Sequence, residues 1–162
     1  MKSNKGFSLV ELIIVIAIMA ILVGVMAPQL IKYIEKSNVS ADTQLADTVR
    51  GAFLCAVTDA RVLADDASEP FFTTLSSDAG MNVDADSAFL TSDCVMKESV
   101  DEILGISLNT LPNQLKSKHS SNSHFNVKLA NGNKVVVTIT GTDNTAKKDT
   151  SDSTPNNDIS VE

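Results

Sequence analysis

The chain has 162 residues, 43% of them hydrophobic, and a formal net charge of −7. The acidity argues against a nucleic-acid groove, because phosphate binding needs a basic surface. The length leaves room for one small domain plus a segment outside it, and with no Trp and 4% aromatic residues that domain's core is modest.

The chain opens MKSNKGFSLVELIIVIAIMAILVGVMAP. From Phe7 to Ala27 run 21 residues in which Glu11 alone is charged. A secretory signal has a shorter apolar stretch and a small-residue cleavage site after it, and VGVMAPQ is a poor match to such a site. As a helix the run spans about 31 Å, the thickness of a bilayer core. Lys2 and Lys5 precede it, so the positive-inside rule keeps the N-terminus cytoplasmic and puts the rest of the chain outside. Glu11 is the anomaly. A carboxylate inside an apolar helix costs about 2.5–3.5 kcal/mol on insertion scales, and such a residue calls for a functional partner. The cations near it in sequence are Lys2, Lys5 and the amine that begins the chain.

A short basic leader ending in Gly6, then Phe7, Glu11, an unbroken apolar helix and Pro28 together resemble the class III signal of type IV pilins and pseudopilins. The resemblance covers about 28 residues. It implies that a prepilin peptidase in the membrane cuts between Gly6 and Phe7 and that Phe7 becomes the N-methylated terminus. It also implies that Glu11 pairs with the Phe7 amine of a neighbouring subunit during filament assembly. The physics agrees: an unpaired charge in a low dielectric is expensive, and an opposite charge offsets much of the cost. A pilus platform protein and an assembly ATPase are further implied partners, with a helical homo-oligomer as the product. The expected location is the cytoplasmic membrane before assembly and an extracellular pilus after it.

Beyond Pro28, apolar residues recur at Leu30, Ile31, Ile34, Ala41, Leu45, Val49, Ala52, Phe53, Ala56 and Val57, the stripe of a helix half-buried on a domain. Lys32, Glu35, Lys36, Asp42, Asp47 and Arg50 fall largely on the other side. The spacing predicts one helix from about Phe7 to about Leu63, with a kink or melted turn near Val23–Ala27, because Pro28 lacks an N–H and its ring crowds the preceding turn. Gly24 adds to the softness there. After the DDASEP breaker, Phe71, Phe72, Leu75, Met81, Phe89 and Leu90 are scattered apolar anchors. Met96–Ile106 reads as a short amphipathic helix ending near Gly105. Two cysteines, Cys55 and Cys94, are candidates for a disulfide if the domain is exported. Closing that loop would contribute roughly 4 kcal/mol in the chain-entropy view.

The period then changes to two. Phe125, Val127 and Leu129, the pair Asn131-Gly132, and Val135, Val137 and Ile139 predict a β-hairpin. Gly141–Asp158 reads as a polar loop or tail containing Pro155, and DISVE as a short further strand. The fold expected is α+β: a long N-terminal helix, membrane-spanning in its first half, packed on a small antiparallel sheet, as in type IV pilins. The chain divides into a leader (1–6), a filament-core half-helix (7–28), a globular domain (29–140) and a tail or edge strand (141–162). Many Gram-negative pilins bracket a C-terminal segment with two cysteines. This chain has none beyond Cys94, which leans towards other lineages, Gram-positive among them.

Asn82, Asp84 and Asp86 alternate like a calcium loop but lack its glycine and distal Glu, so they read as a solvated acidic loop. His119 and His124 have no ligand at zinc spacing and read as surface loop. No G-x-S-x-G and no phosphate loop appears, so no enzyme, cofactor or metal is expected. The functional expectation is a pilus subunit. A pseudopilin of a secretion or DNA-uptake machine is the first alternative, and a plain bitopic membrane-anchored binding domain is the second.

Overall fold

The computed structural model describes residues 8–117, 119–130, 134–142 and 159–162. Gly6 and Phe7, the rest of the leader, the Asn131-Gly132 turn and most of the polar tail, Pro155 included, lie outside the described residues.

One helix dominates. α1 runs from Leu9 to Thr58, 50 residues, or about 75 Å along its axis. Its two halves obey different solvents. From Leu9 to Ile34 every large apolar side chain is exposed. From Val39 onward, Val39, Ala46, Val49, Ala52, Phe53, Ala56 and Val57 turn inward at helical spacing. α1 is continuous through Val23–Ala27 and Pro28, so no melted turn separates the halves. Pro28 withdraws the donor that the Gly24 carbonyl would otherwise use. At its other end α1 is shorter than the sequence suggests. Asp59 takes an extended backbone, φ −72° and ψ 125°, and its carboxylate accepts the Arg61 N–H, capping a separate turn, α2 (Ala60–Leu63). An Asp offers the backbone an alternative to the helix, and here that alternative prevails.

Short helices α3 (Glu69–Leu75) and α4 (Ser87–Leu90) flank the two-residue strand β1 (Met81–Asn82). Helix α5 (Val95–Leu104) ends at Gly105, which sits at φ 67° in the left-handed region, the stop signal expected of glycine. A 3-10 segment, Leu108–Gln114, leads towards β2 (His119–Ala130), β3 (Lys134–Thr142) and β4 (Ile159–Val161). The four strands form one antiparallel sheet in chain order. The hairpin register matches the alternation: Phe125 opposes Ile139, Val127 opposes Val137 and Leu129 opposes Val135. Those facing positions are buried save Leu129, which packs at the core's edge. The DISVE segment supplies β4 as an edge strand, with Ile159 and Val161 inward.

The sheet's apolar face lies under the second half of α1, which packs on β3 and β4, while α5 packs against α1 as well. Phe53, Phe89 and Phe71 form the aromatic centre: Phe71 meets Phe89 edge-on at 4.9 Å and Phe53 lies 6.4 Å from Phe89. Burying a side chain such as Phe53 contributes about 1.5–3 kcal/mol. This is the α+β layout expected of the sequence.

The candidate disulfide between Cys55 and Cys94 is not formed in this structure. Cys55 and Cys94 are both free thiols. Cys55 falls on the outward side of α1, one position before buried Ala56. Cys94 is buried at the N-cap of α5, where its sulfur accepts the Lys97 N–H at 3.4 Å.

Candidate assembly and membrane surface

The unburied half of α1 is the exceptional surface. It contains an 18-residue window of mean hydropathy 3.0, none of it buried against the domain. Soluble proteins do not leave so large an apolar face to water. Its length and composition suit a bilayer or a bundle of like helices.

Glu11 stands in the first turn of this helix. Its Oε2 accepts the Ser8 backbone N–H at 2.9 Å. The carboxylate thus satisfies one of the donors that a helix N-terminus leaves open, and its charge is favourable at the positive end of the helix dipole. The cost of placing a carboxylate in apolar surroundings is offset in part by its own helix. Among the described residues, Oε1 accepts nothing and is available to another donor. Phe7, the expected donor's residue, precedes Ser8 and lies outside the described residues, as does the expected cleavage site at Gly6.

Farther along α1, Gln29, Lys32, Tyr33 and Lys36 line a shallow groove of about 260 Å³. Sequence periodicity assigned these lysines simply to a polar face. In the structure, Lys32 and Lys36 flank exposed Tyr33, among equally exposed Leu30, Ile31 and Ile34.

Three carboxylates expected in solvent do structural work instead. Asp42, assigned by periodicity to the polar side of the helix, is 1% exposed. Its two oxygens accept the backbone N–H groups of Lys116 and Ser117 at 2.8 and 2.9 Å. Asp84, expected in a solvated loop, is buried: Oδ1 accepts the Phe125 N–H at 2.7 Å and Oδ2 lies 3.0 Å from His124 Nδ1. Asp86 caps α4 through the N–H groups of Ala88 and Phe89. Asn82 Oδ1 accepts from the Asn126 side chain. These bonds spend the oxygens that would otherwise resemble a calcium loop, and no metal-holding cluster occurs among the described residues. His119 and His124 are strand residues of β2 rather than loop residues. The Asp84–His124 pair was invisible to spacing, because its members are 40 residues apart.

Elsewhere, local hydrogen bonds hold carboxylates below their ordinary range. The Ser68 hydroxyl and the Val95 N–H do so for Asp65, tying the α2–α3 connection to α5. The Lys134 ammonium does so for Glu162, and the Arg61 guanidinium for Asp59.

Residues 1–27 match the family model described as the prokaryotic N-terminal methylation motif. No characterised protein and no solved structure gives a significant match. The motif is the class III signal of type IV prepilins. It supports a type IV pilin-like or pseudopilin protein, with membrane anchoring of the apolar helix.

Proposed function

We propose that this chain is a prepilin, the structural subunit of a type IV pilus. A prepilin peptidase cuts it between Gly6 and Phe7 and methylates Phe7. The apolar half of α1 serves lipid first and the filament core second. The globular half faces outward. An assembly platform and its ATPase move the subunit from one environment to the other.

The observation that carries this reading is Glu11 at the head of an apolar helix that its own domain leaves bare. A plain anchor gains from that carboxylate only the Ser8 cap, against the cost of a charge in lipid. A subunit that must recruit another does, because the open oxygen gains a cationic partner only when a second chain's Phe7 amine arrives.

The test is Glu11→Ala. Processing and membrane insertion should persist, since the substitution makes the helix more apolar, while filaments disappear from the sheared fraction. Normal filament abundance from this variant would falsify the pairing argument. A wild-type protein that is processed but never leaves the membrane points to a pseudopilin. One that keeps residues 1–6 points to an ordinary membrane-anchored domain.

A further inference from the structure

We propose that the Lys32–Tyr33–Lys36 segment of α1 docks onto the carboxylate face of α5 in a second copy of this chain. The inference rests on the filament reading above and adds to it a specific contact outside the apolar core.

The exposed apolar stretch of α1, Leu9 to Ile34, is 26 residues, or about 39 Å as a helix. A bilayer's hydrocarbon core is only about 30 Å thick. The surplus falls on the segment carrying Lys32, Tyr33 and Lys36. In the membrane, headgroups cover it, since amphipathic side chains settle there. On leaving the membrane, this segment loses that cover. Tyr33 is 71% exposed, and neither lysine makes an ion pair among the described residues. The described part of the chain's own domain therefore does not cover it.

The complementary surface lies on α5. An open groove of about 610 Å³ runs along that helix, lined among others by Asp93, Lys97, Glu98, Asp101 and Glu102. The cations around it are committed. Lys97 Nζ bonds Asp101 at 3.1 Å, and the Arg61 guanidinium, though near Glu98 and Glu102, is held by Asp59 at 2.8 Å. Asp93, Glu98 and Glu102 have no ion pair among the described residues. Exposed Leu63 lies on α2, which packs beside α5. The α5 surface thus offers carboxylates with exposed Leu63 on the adjoining α2, and the α1 segment offers ammoniums with Tyr33, Ile31 and Ile34.

Whole-chain charge points to a second copy as the occupant. Residues 39–162 carry eighteen acidic against nine basic side chains, whereas the domain-proximal stalk segment 29–38 carries Lys32 and Lys36 against Glu35, the stalk's other carboxylate, Glu11, lying at its far end. A molecule with a basic segment at the head end of its stalk and a strongly acidic head is steered into staggered, head-to-stalk association with its own kind.

Four strains test this: wild type, K32E/K36E, E98K/E102K, and the combination of all four substitutions. Each is scored for sheared filament protein as a fraction of the processed pool, so that folding and membrane insertion are controlled. Like charges placed opposite one another should lower assembly about tenfold or more in each double variant. The combination should return it to within about threefold of wild type, because the attraction is re-formed with its signs exchanged. Double variants that assemble normally would overturn the contact. So would a combination no better than either parent, which would instead assign the lysines to lipid headgroups. Wild-type cells that yield no filaments at all would overturn the filament reading itself, an outcome separate from either of these.

Discussion

Asp42 Oδ1 on α1 accepts the backbone N–H of Lys116 at 2.8 Å, joining two points 74 residues apart in the chain. Its other oxygen takes the N–H of Ser117 at 2.9 Å. One carboxylate thereby fixes the segment entering β2 against the helix, close to where α1 changes from exposed to buried. Asp42→Ala would leave two backbone donors without an acceptor beneath the domain. The expected cost is about 3 kcal/mol, read as a lowered melting temperature of the detergent-solubilised protein. Asp42→Asn should fall between, since an amide offers one acceptor oxygen and brings unwanted donors. An alanine variant as stable as wild type would show that this clasp contributes nothing.

Asp65 gives the fold an acid limit. The Ser68 hydroxyl and the Val95 N–H bond its ionised carboxylate and lower its pKa from an ordinary 3.8. A group depressed in the folded state contributes stability that is present above the unfolded pKa and lost as pH falls through the folded one. Wild type should therefore exceed Asp65→Asn in melting temperature near neutrality, with the gap closing from about pH 5 downwards. The Glu162–Lys134 pair between the C-terminus and β3 has the same sign. A gap that widens in acid would contradict the assignment.

The free thiols differ in access. Cys55 is exposed and Cys94 is 1% exposed. A maleimide added to the folded protein should label Cys55 alone, and Cys94 should react only after denaturation, because reaction requires an accessible thiolate. Failure of both thiols to react in denaturant without a reductant would restore the disulfide expected from the sequence.

Local patterns were legible wherever one solvent acted on one element. The alternation of Phe125, Val127, Val135, Val137 and Ile139 reports the hairpin because its two faces meet core and water in turn. Val49, Ala52, Phe53 and Ala56 likewise report the buried face of α1. What escaped was set by partners distant in sequence. Asp42 and Asp84 look like surface residues until the backbone N–H groups they accept are brought up against them by the segment entering β2 and by β2 itself. β1 owes its existence to pairing with β2 through Met81 and Asn82, and two residues have no period to read. Asp59 breaks the long helix with a single side-chain cap, a choice that apolar periodicity does not record. At the candidate site, Glu11 was legible because charge in an apolar run is rare, whereas Tyr33 and its lysines resembled any polar helix face.

The most direct measurement is the intact mass of this protein in filaments sheared from the cell surface. The account predicts abundant material whose mass begins at Phe7 and carries one added methyl group. A mass that still includes Met1 to Gly6, or a processed protein confined wholly to the membrane, would contradict its assignment as a pilus subunit.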